Sequence, residues 1–317
     1  MEPLYDQILK DIAPNATLLR YWPLNGGISC ETTGLEVEHP ELGTQKLVVR
    51  HVGEWSFEHY PESAKNEFNL LVHLDGQGIP VPKARHFDLS CSLLPRPFLV
   101  LDYVDGSPDL TATNVIFRAT DMAVQLAKIH QLDVKHPVFS FMKPSPVNLR
   151  PLTGEPNEDL QETKIRKVLT EWLPRVKENE YRFRHGDYWP GNMLWKNNKL
   201  AAVIDWEETS IGDPLFDVAI ARLDILWAYG LFAMDAFTQH YFLSIPEVDP
   251  TFLPFWDLRV SLRPIQNIGT WATSFPVLDR PDVTEDLMAQ RHRWFVDEAM
   301  LRLERMGVHE RNDGHGV

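Results

Sequence analysis

Hydrophobic and polar positions along this chain fall into two regimes. Apolar residues at helical spacing over 3–12, stopped by Pro14, predict a short amphipathic helix. Alternating, β-like runs follow at about 17–24, 33–38 and 46–51. Gly26-Gly27 interrupts the first pair, and Gly43 sits in the turn of the second. Pro61-Glu62-Ser63 then opens a helical segment with Phe68, Leu71, Val72 and Leu74 mostly on one side, and Gly76 and Gly78 end it. Two more β-like runs occupy about 84–89 and 97–103. The order strand-strand-strand-helix-strand-strand predicts an antiparallel sheet with one helix packed on it.

After Asp105-Gly106-Ser107-Pro108 the pattern changes. Ile116, Ala123, Leu126, Ala127 and Ile129 recur at helical spacing within 114–131. A polar, proline-containing stretch (143–157) leads to a helix around 158–178. A loop and hairpin fill 183–207, and the remainder, to about 307, reads as mainly helical and rich in tryptophan. Residues 309–317 are predicted to be disordered. The class is α+β: a small mixed lobe, 1–105, precedes a larger helical lobe, 106–317.

Composition narrows the function classes. The 317 residues are 44% hydrophobic, ample for two packed lobes. A net charge of −14 argues against non-specific nucleic-acid binding, which needs basic surface. Cys30 and Cys91 form no metal-spaced cluster and imply no disulfide framework, in keeping with a reducing cytoplasm. The N-terminus carries acids and lacks the apolar core of a signal peptide, and no apolar run approaches a membrane span. The oligomeric state is not legible.

The chemistry concentrates in His185-Gly186-Asp187-Tyr188-Trp189-Pro190-Gly191-Asn192 and, beyond a short turn, Val203-Ile204-Asp205-Trp206-Glu207. Spacing alone produces H-x-D-x-x-x-x-N by chance in about one chain of this length in a hundred. The second element cuts that risk. Met193-Leu194-Trp195 reads as a strand, Lys196 to Lys199 as a turn, and Leu200 to Ile204 as the returning strand. A hairpin of this size is expected to bring Asp205 back near Asn192. Their oxygens then suit one hard cation, Mg2+. Asp187 is the candidate base for a substrate hydroxyl, and His185 reads as a loop anchor. Protein kinases use H-R-D-x-x-x-x-N followed by D-F-G for this purpose.

The first lobe carries what such chemistry also requires. Gly26, Gly27 and Ser29 lie in a turn where backbone N–H groups can approach phosphate oxygens. No Walker A sequence occurs. Arg50 ends the third strand-like run, where kinases place a lysine, and Glu67 is its candidate helix partner. Val48 shares the Arg50 face by strand alternation. With Leu194 and Ile204 it can enclose a flat base, while Asp102, Tyr103 and Val104 can offer backbone hydrogen bonds. Taken singly, each of these has a plainer reading as core, turn or surface ion pair.

Together, HGDYWPGN, VIDWEE (203–208), Ile211-Gly212-Asp213-Pro214-Leu215-Phe216-Asp217 and Leu126-Ala127-Lys128-Ile129-His130 resemble the aminoglycoside phosphotransferase and choline kinase-like group, the phosphotransferase enzyme family. The resemblance implies a bilobal protein-kinase-like fold, with a small antiparallel-sheet N-lobe and a larger helical C-lobe. It implies Asp187 as base, Asn192 and Asp205 as Mg2+ ligands, and Asp213 and Asp217 as braces of the catalytic loop. The expected reaction moves the γ-phosphoryl of ATP or GTP to a hydroxyl of a small molecule. Tyr188, Trp189, Trp256, Arg263 and Trp271 are candidates to face the acceptor, and Glu207, Glu208 and Asp224 to meet a polycation. Two alternatives stand beside this reading: a nucleotide-binding regulatory protein on the same fold, and a kinase of sugar-modified protein amines.

Overall fold

The computed structural model describes residues 2–24, 31–149 and 154–313. In chain order its strands are β1 (Thr17–Pro23), β2 (Thr32–His39), β3 (Gly43–His51), β4 (Ala84–Asp88), β5 (Phe98–Asp102), β6 (Arg182–Arg184), β7 (Met193–Lys196), β8 (Lys199–Val203) and β9 (Ser210–Gly212). Its α-helices are α1 (Glu2–Ile12), α2 (Glu54–His59), α3 (Ser63–Gly76), α4 (Val115–His130), α5 (Glu162–Trp172), α6 (Leu215–Ala228), α7 (Leu231–Ser244), α8 (Leu253–Ser261), α9 (Ile268–Ala272) and α10 (Glu285–Asp313). The chain divides into two compact units. The first comprises residues 1–107, 136–141 and 194–207, and the second the rest.

The first unit is built on a five-stranded sheet in the order β1-β2-β3-β5-β4. Each neighbouring pair is antiparallel. Strand alternation decides its faces. On β3, Leu47 and Val49 are buried while Val48 and Arg50 point to the other side, partly accessible. Leu35, Val37, Leu47, Val49 and Val100 meet Tyr5, Ile8 and Leu9 of α1 in one core. Each such side chain fully buried contributes about 1.5–3 kcal/mol. Helix α3 buries Leu70, Leu71 and Leu74, but Val72 is exposed. A turn of about 100° per residue groups 70, 71 and 74 and swings 72 outward. Helix α2, which the pattern did not announce, is one and a half turns squeezed between β3 and Pro61.

The β7–β8 hairpin turns at Asn197 and Asn198, both left-handed (φ 50° and 61°). Two consecutive positive φ angles make a type I′ turn, whose twist matches paired strands. Val203 N–H donates to Pro80 O (2.8 Å), and Trp195 exchanges backbone bonds with Ser107 (2.9 and 3.2 Å), fixing the hairpin within its unit. His136 of the 136–141 segment stacks on His73 of α3, centroids 4.1 Å apart.

In the second unit, α4 packs on α7, and α6 packs on α7, α8 and α10. Helix α6 is buried nearly all round: Val218, Ala219, Ile220, Ala221 and Ile225 have no exposed surface. Helix α5 ends at Trp172 because Pro174 follows. Strands β6 and β9 pair antiparallel, Arg184 opposite Ser210. Their three-residue length hid them in the sequence pattern. The expectation of disorder over 309–317 fails for its first part, since α10 runs on to Asp313. Nothing in His309-Glu310-Arg311 breaks a helix, and the first breaker is Gly314. Among the described residues, no helix is long and apolar enough to cross a membrane.

Candidate active site

The 185–192 loop leaves β6 and is held from beneath by one buried carboxylate. Asp217, in the first turn of α6, accepts the His185 N–H on Oδ2 (2.7 Å) and the Gly186 N–H on Oδ1 (3.0 Å). His130 Nε2 lies 3.3 Å from the same Oδ2, and its Nδ1 lies 2.6 Å from Tyr241 Oη. Burial works to raise the Asp217 carboxyl, but the His130 hydrogen bond and the nearby basic side chains of His130, Arg184 and His185 outweigh it. The group sits below the usual carboxylate range. Gly186 adopts φ +87°, and a Cβ there would lie 2.1 Å from the Glu208 carbonyl oxygen. Only glycine fits the turn that presents the next residue.

That residue is Asp187. Its N–H donates to His185 Nδ1 (3.2 Å), so His185 serves as a loop anchor. Asn192 Nδ2 donates to Asp187 O (2.9 Å) and Oδ2 (3.2 Å). This leaves Asn192 Oδ1, a hard oxygen, without a protein donor among the described residues. Arg263, just beyond α8, donates from Nη2 to Asp187 Oδ1 (2.7 Å). Both side chains keep about a quarter of their surface accessible, 26% and 29%. The Arg263 guanidinium lies over the Trp271 ring, 5.7 Å from its centroid. Asp224 of α6 feels both charges. Burial pushes its carboxyl up to about 7, with Arg263 working to lower it and Asp187 to raise it.

In the first unit, Arg50 and Glu67 form a close side-chain pair between β3 and α3. Arg50 Nη1 also stands 3.9 Å from Asp205 Oδ1 and 4.0 Å from Glu207 Oε2. Burial raises the Glu67 carboxyl, Arg50 opposes it, and Glu207 adds to it. The sequence placed Glu207 among candidates for a polycation; it belongs instead to this Arg50 cluster. Asp205 is itself left-handed, at φ +67°. Val48, Leu194 and Ile204 are each partly accessible apolar residues of this unit. At the end of β5 and just beyond it, Asp102 N–H donates to Lys83 O (2.8 Å), Tyr103 N–H to Lys46 O (3.1 Å), and Val104 O accepts from Gly106 N–H (2.9 Å). Among the described residues, the Val104 N–H has no protein acceptor. The Asp102 carboxylate is held by Arg85 (2.6 and 2.8 Å). Gly26, Gly27 and Ser29 lie outside the described residues.

Other candidates lie apart from these groups. Tyr188 is fully buried and donates to Met122 O (2.9 Å), clamping the loop to α4 rather than facing an acceptor. Trp256 is core, edge-on to Phe216 and Phe255. The Trp189 ring packs over Gly191, where a Cβ would lie 2.1 Å from it. Asp213 accepts from Asn179 N–H (2.8 Å) and Leu215 N–H (2.9 Å), bracing the entry to α6 rather than the loop itself. The sequence did not flag Met122 and Tyr241 as loop anchors. A buried carbonyl and a core tyrosine leave no spacing signal. Among the described residues no group of three or more His, Cys, Asp or Glu could hold a metal alone. Magnesium rarely needs one, since one or two protein oxygens with substrate phosphates and water complete its shell.

The sequence model of the phosphotransferase enzyme family matches residues 35–250. Mouse acyl-CoA dehydrogenase family member 10 is 25% identical over 284 residues, covering 80% of this chain. The chain spans only 26% of that protein's length. Among solved structures, the GDP complex of an aminoglycoside 2'-phosphotransferase-IIIa mutant superposes with TM-score 0.58 at 16% identity, covering 98% of each chain. A thermostable mutant of aminoglycoside phosphotransferase APH(4)-Ia, in ternary complex with ADP and hygromycin B, gives TM-score 0.55 at 15% identity, over 92% of this chain and 97% of that one. These likenesses show the fold: kinase-like, with an antiparallel-sheet part and a helical part.

Proposed function

Because the chain belongs to the phosphotransferase enzyme family, we propose that it moves the γ-phosphoryl group of ATP or GTP to a hydroxyl of a small molecule, with Asp187 as base. The observation that carries this reading is the Asp187 carboxylate, presented by a glycine turn on a loop held by Asp217 and His185, and itself bonded by Asn192 and Arg263. A carboxylate so held can take the hydroxyl proton as the acceptor oxygen bonds to the γ-phosphorus. The bond to the β–γ bridging oxygen breaks in the same step, and the nucleoside diphosphate leaves. Arg50, pre-positioned by Glu67, supplies a fixed positive charge for the phosphates. Val104 N–H and the apolar residues Val48, Leu194 and Ile204 suit a purine base. Asn192 and Asp205 are the proposed ligands of Mg2+, whose charge, when bound, would offset that of the phosphates. The nucleotides in the GDP and ADP complexes of the fold relatives support a nucleotide co-substrate.

The test is turnover of Mg-ATP and Mg-GTP by purified protein across a panel of hydroxyl compounds. Asp187→Asn should lower turnover by at least about 10²-fold while Mg-nucleotide still raises the melting temperature. Equal turnover by wild type and variant would remove Asp187 from the role of base.

A further inference from the structure

The base is not free in this structure. Arg263 Nη2 donates to Asp187 Oδ1 at 2.7 Å, from a guanidinium backed by the Trp271 ring. Arg263 has no second hydrogen-bond acceptor among the described residues. Its side chain keeps 26% of its surface accessible beside the carboxylate proposed to meet the acceptor hydroxyl. Asp224 stands near; burial pushes its carboxyl up to about 7, so it is only partly ionised at neutral pH. Arg263 thus sets a positive charge directly against the base, in a chain whose net charge is −14.

We propose that Arg263 is the specificity-determining residue of the acceptor site, and that the acceptor is a hydroxy compound bearing an anionic oxygen group, carboxylate or phosphate. The inference rests on the reading of Asp187 as base. A guanidinium offers planar paired donors that match either oxyanion. An acceptor anion that engages Arg263 draws it from Asp187 Oδ1, and that oxygen then receives the hydroxyl proton. A cationic acceptor would meet a fixed like charge at this place and would leave the base in its ion pair. Arg263 therefore couples recognition to release of the base.

The experiment uses the full chain with Mg-ATP and Mg-GTP. Probes are straight-chain hydroxycarboxylates, their carboxamides, glycerol phosphates, glycerol, and amino alcohols of matching length. Turnover is followed by nucleoside diphosphate release, and binding by thermal shift and calorimetry in the presence of nucleotide. Wild type should prefer the anionic members of each matched pair by at least about tenfold in kcat/KM or in affinity, the scale of one charge-assisted hydrogen bond. Arg263→Met should abolish that preference while Mg-nucleotide binding is unchanged, and Arg263→Lys should restore part of it. Carboxylate and phosphate arms tell which oxyanion the site takes. A wild-type preference for neutral or amino acceptors overturns the proposal. So does an anion preference that survives in Arg263→Met, or failure of every anionic probe both to bind and to react. Asp187→Asn separates the two readings. If it stays active while Arg263 variants change acceptor preference, only the base assignment fails. If it is inactive while those variants leave preference unchanged, only the role of Arg263 fails.

Discussion

Replacing Asp217 by asparagine tests the claim that one carboxylate holds the catalytic loop. Asp217 has no exposed surface and accepts from two loop N–H groups while meeting His130. An amide keeps one acceptor oxygen and turns the other site into a donor. One loop N–H then faces an NH2 group and is left unsatisfied, at about 1–3 kcal/mol. The charge opposite His130 and Arg184 is lost as well. Breaking a buried ionic contact by changing one partner costs about 3–5 kcal/mol, and that is the expected total here. Against a typical stability of about 5–15 kcal/mol, the variant remains folded with a clearly lower urea midpoint. Because the Asp217 carboxyl is depressed in the folded state, its contribution is full above the ordinary carboxylate range and fades as pH falls through the depressed value. Wild type should therefore lose stability on acidification more steeply than Asp217→Asn. Combined with His130→Ala, the double variant should lose less than the two singles together, because both remove the same contact. Urea unfolding by circular dichroism at several pH values, with nucleotide turnover alongside, measures all of this. A variant within about 1 kcal/mol of wild type and with unchanged turnover would refute the reasoning.

Gly186→Ala places a Cβ 2.1 Å from the Glu208 carbonyl at φ +87°. Left-handed strain of about 1–2 kcal/mol and displacement of Asp187 should lower kcat by about 10²-fold, with nucleotide affinity unchanged in a binding titration. Asp224 ionises only near pH 7 in the folded chain, against 3.8 for an ordinary aspartate. Wild-type stability should therefore fall as pH rises from about 4 to about 7 through this group. Asp224→Asn removes that loss, and denaturation midpoints at pH 5 and pH 8 should show the variant gaining on wild type at the higher pH.

The elements that bury one face were legible in the sequence. The alternation of Leu47 and Val49 against Val48 and Arg50 announced β3, and the spacing of Ala123, Leu126, Ala127 and Ile129 announced α4. Elements too short to hold a period, such as α2, β6 and β9, left no such mark. At the site, motif spacing singled out Asp187, Asn192 and Asp205, and the partner of Arg50 was readable because Glu67 falls on the next long helix. The pairing of Arg263 with Asp187 spans 76 residues, and no local rule reports a contact of that separation. Tyr188 misled for a related reason. Adjacency to Asp187 along the chain does not imply the same direction, and here the tyrosine ring turns inward to Met122.

The left-handed backbone of Asp205 narrows what evolution can write at this position. Aspartate and asparagine are the non-glycine residues that enter φ +67° most readily. They are also among the few side chains short enough to offer a hard oxygen close to the main chain. Conformation and the proposed ligand chemistry thus select independently from the same two letters. In a saturation library, position 205 should tolerate glycine for folding, asparagine for folding with residual turnover, and little else. Its substitution profile would then separate a demand of the backbone from a demand of the reaction.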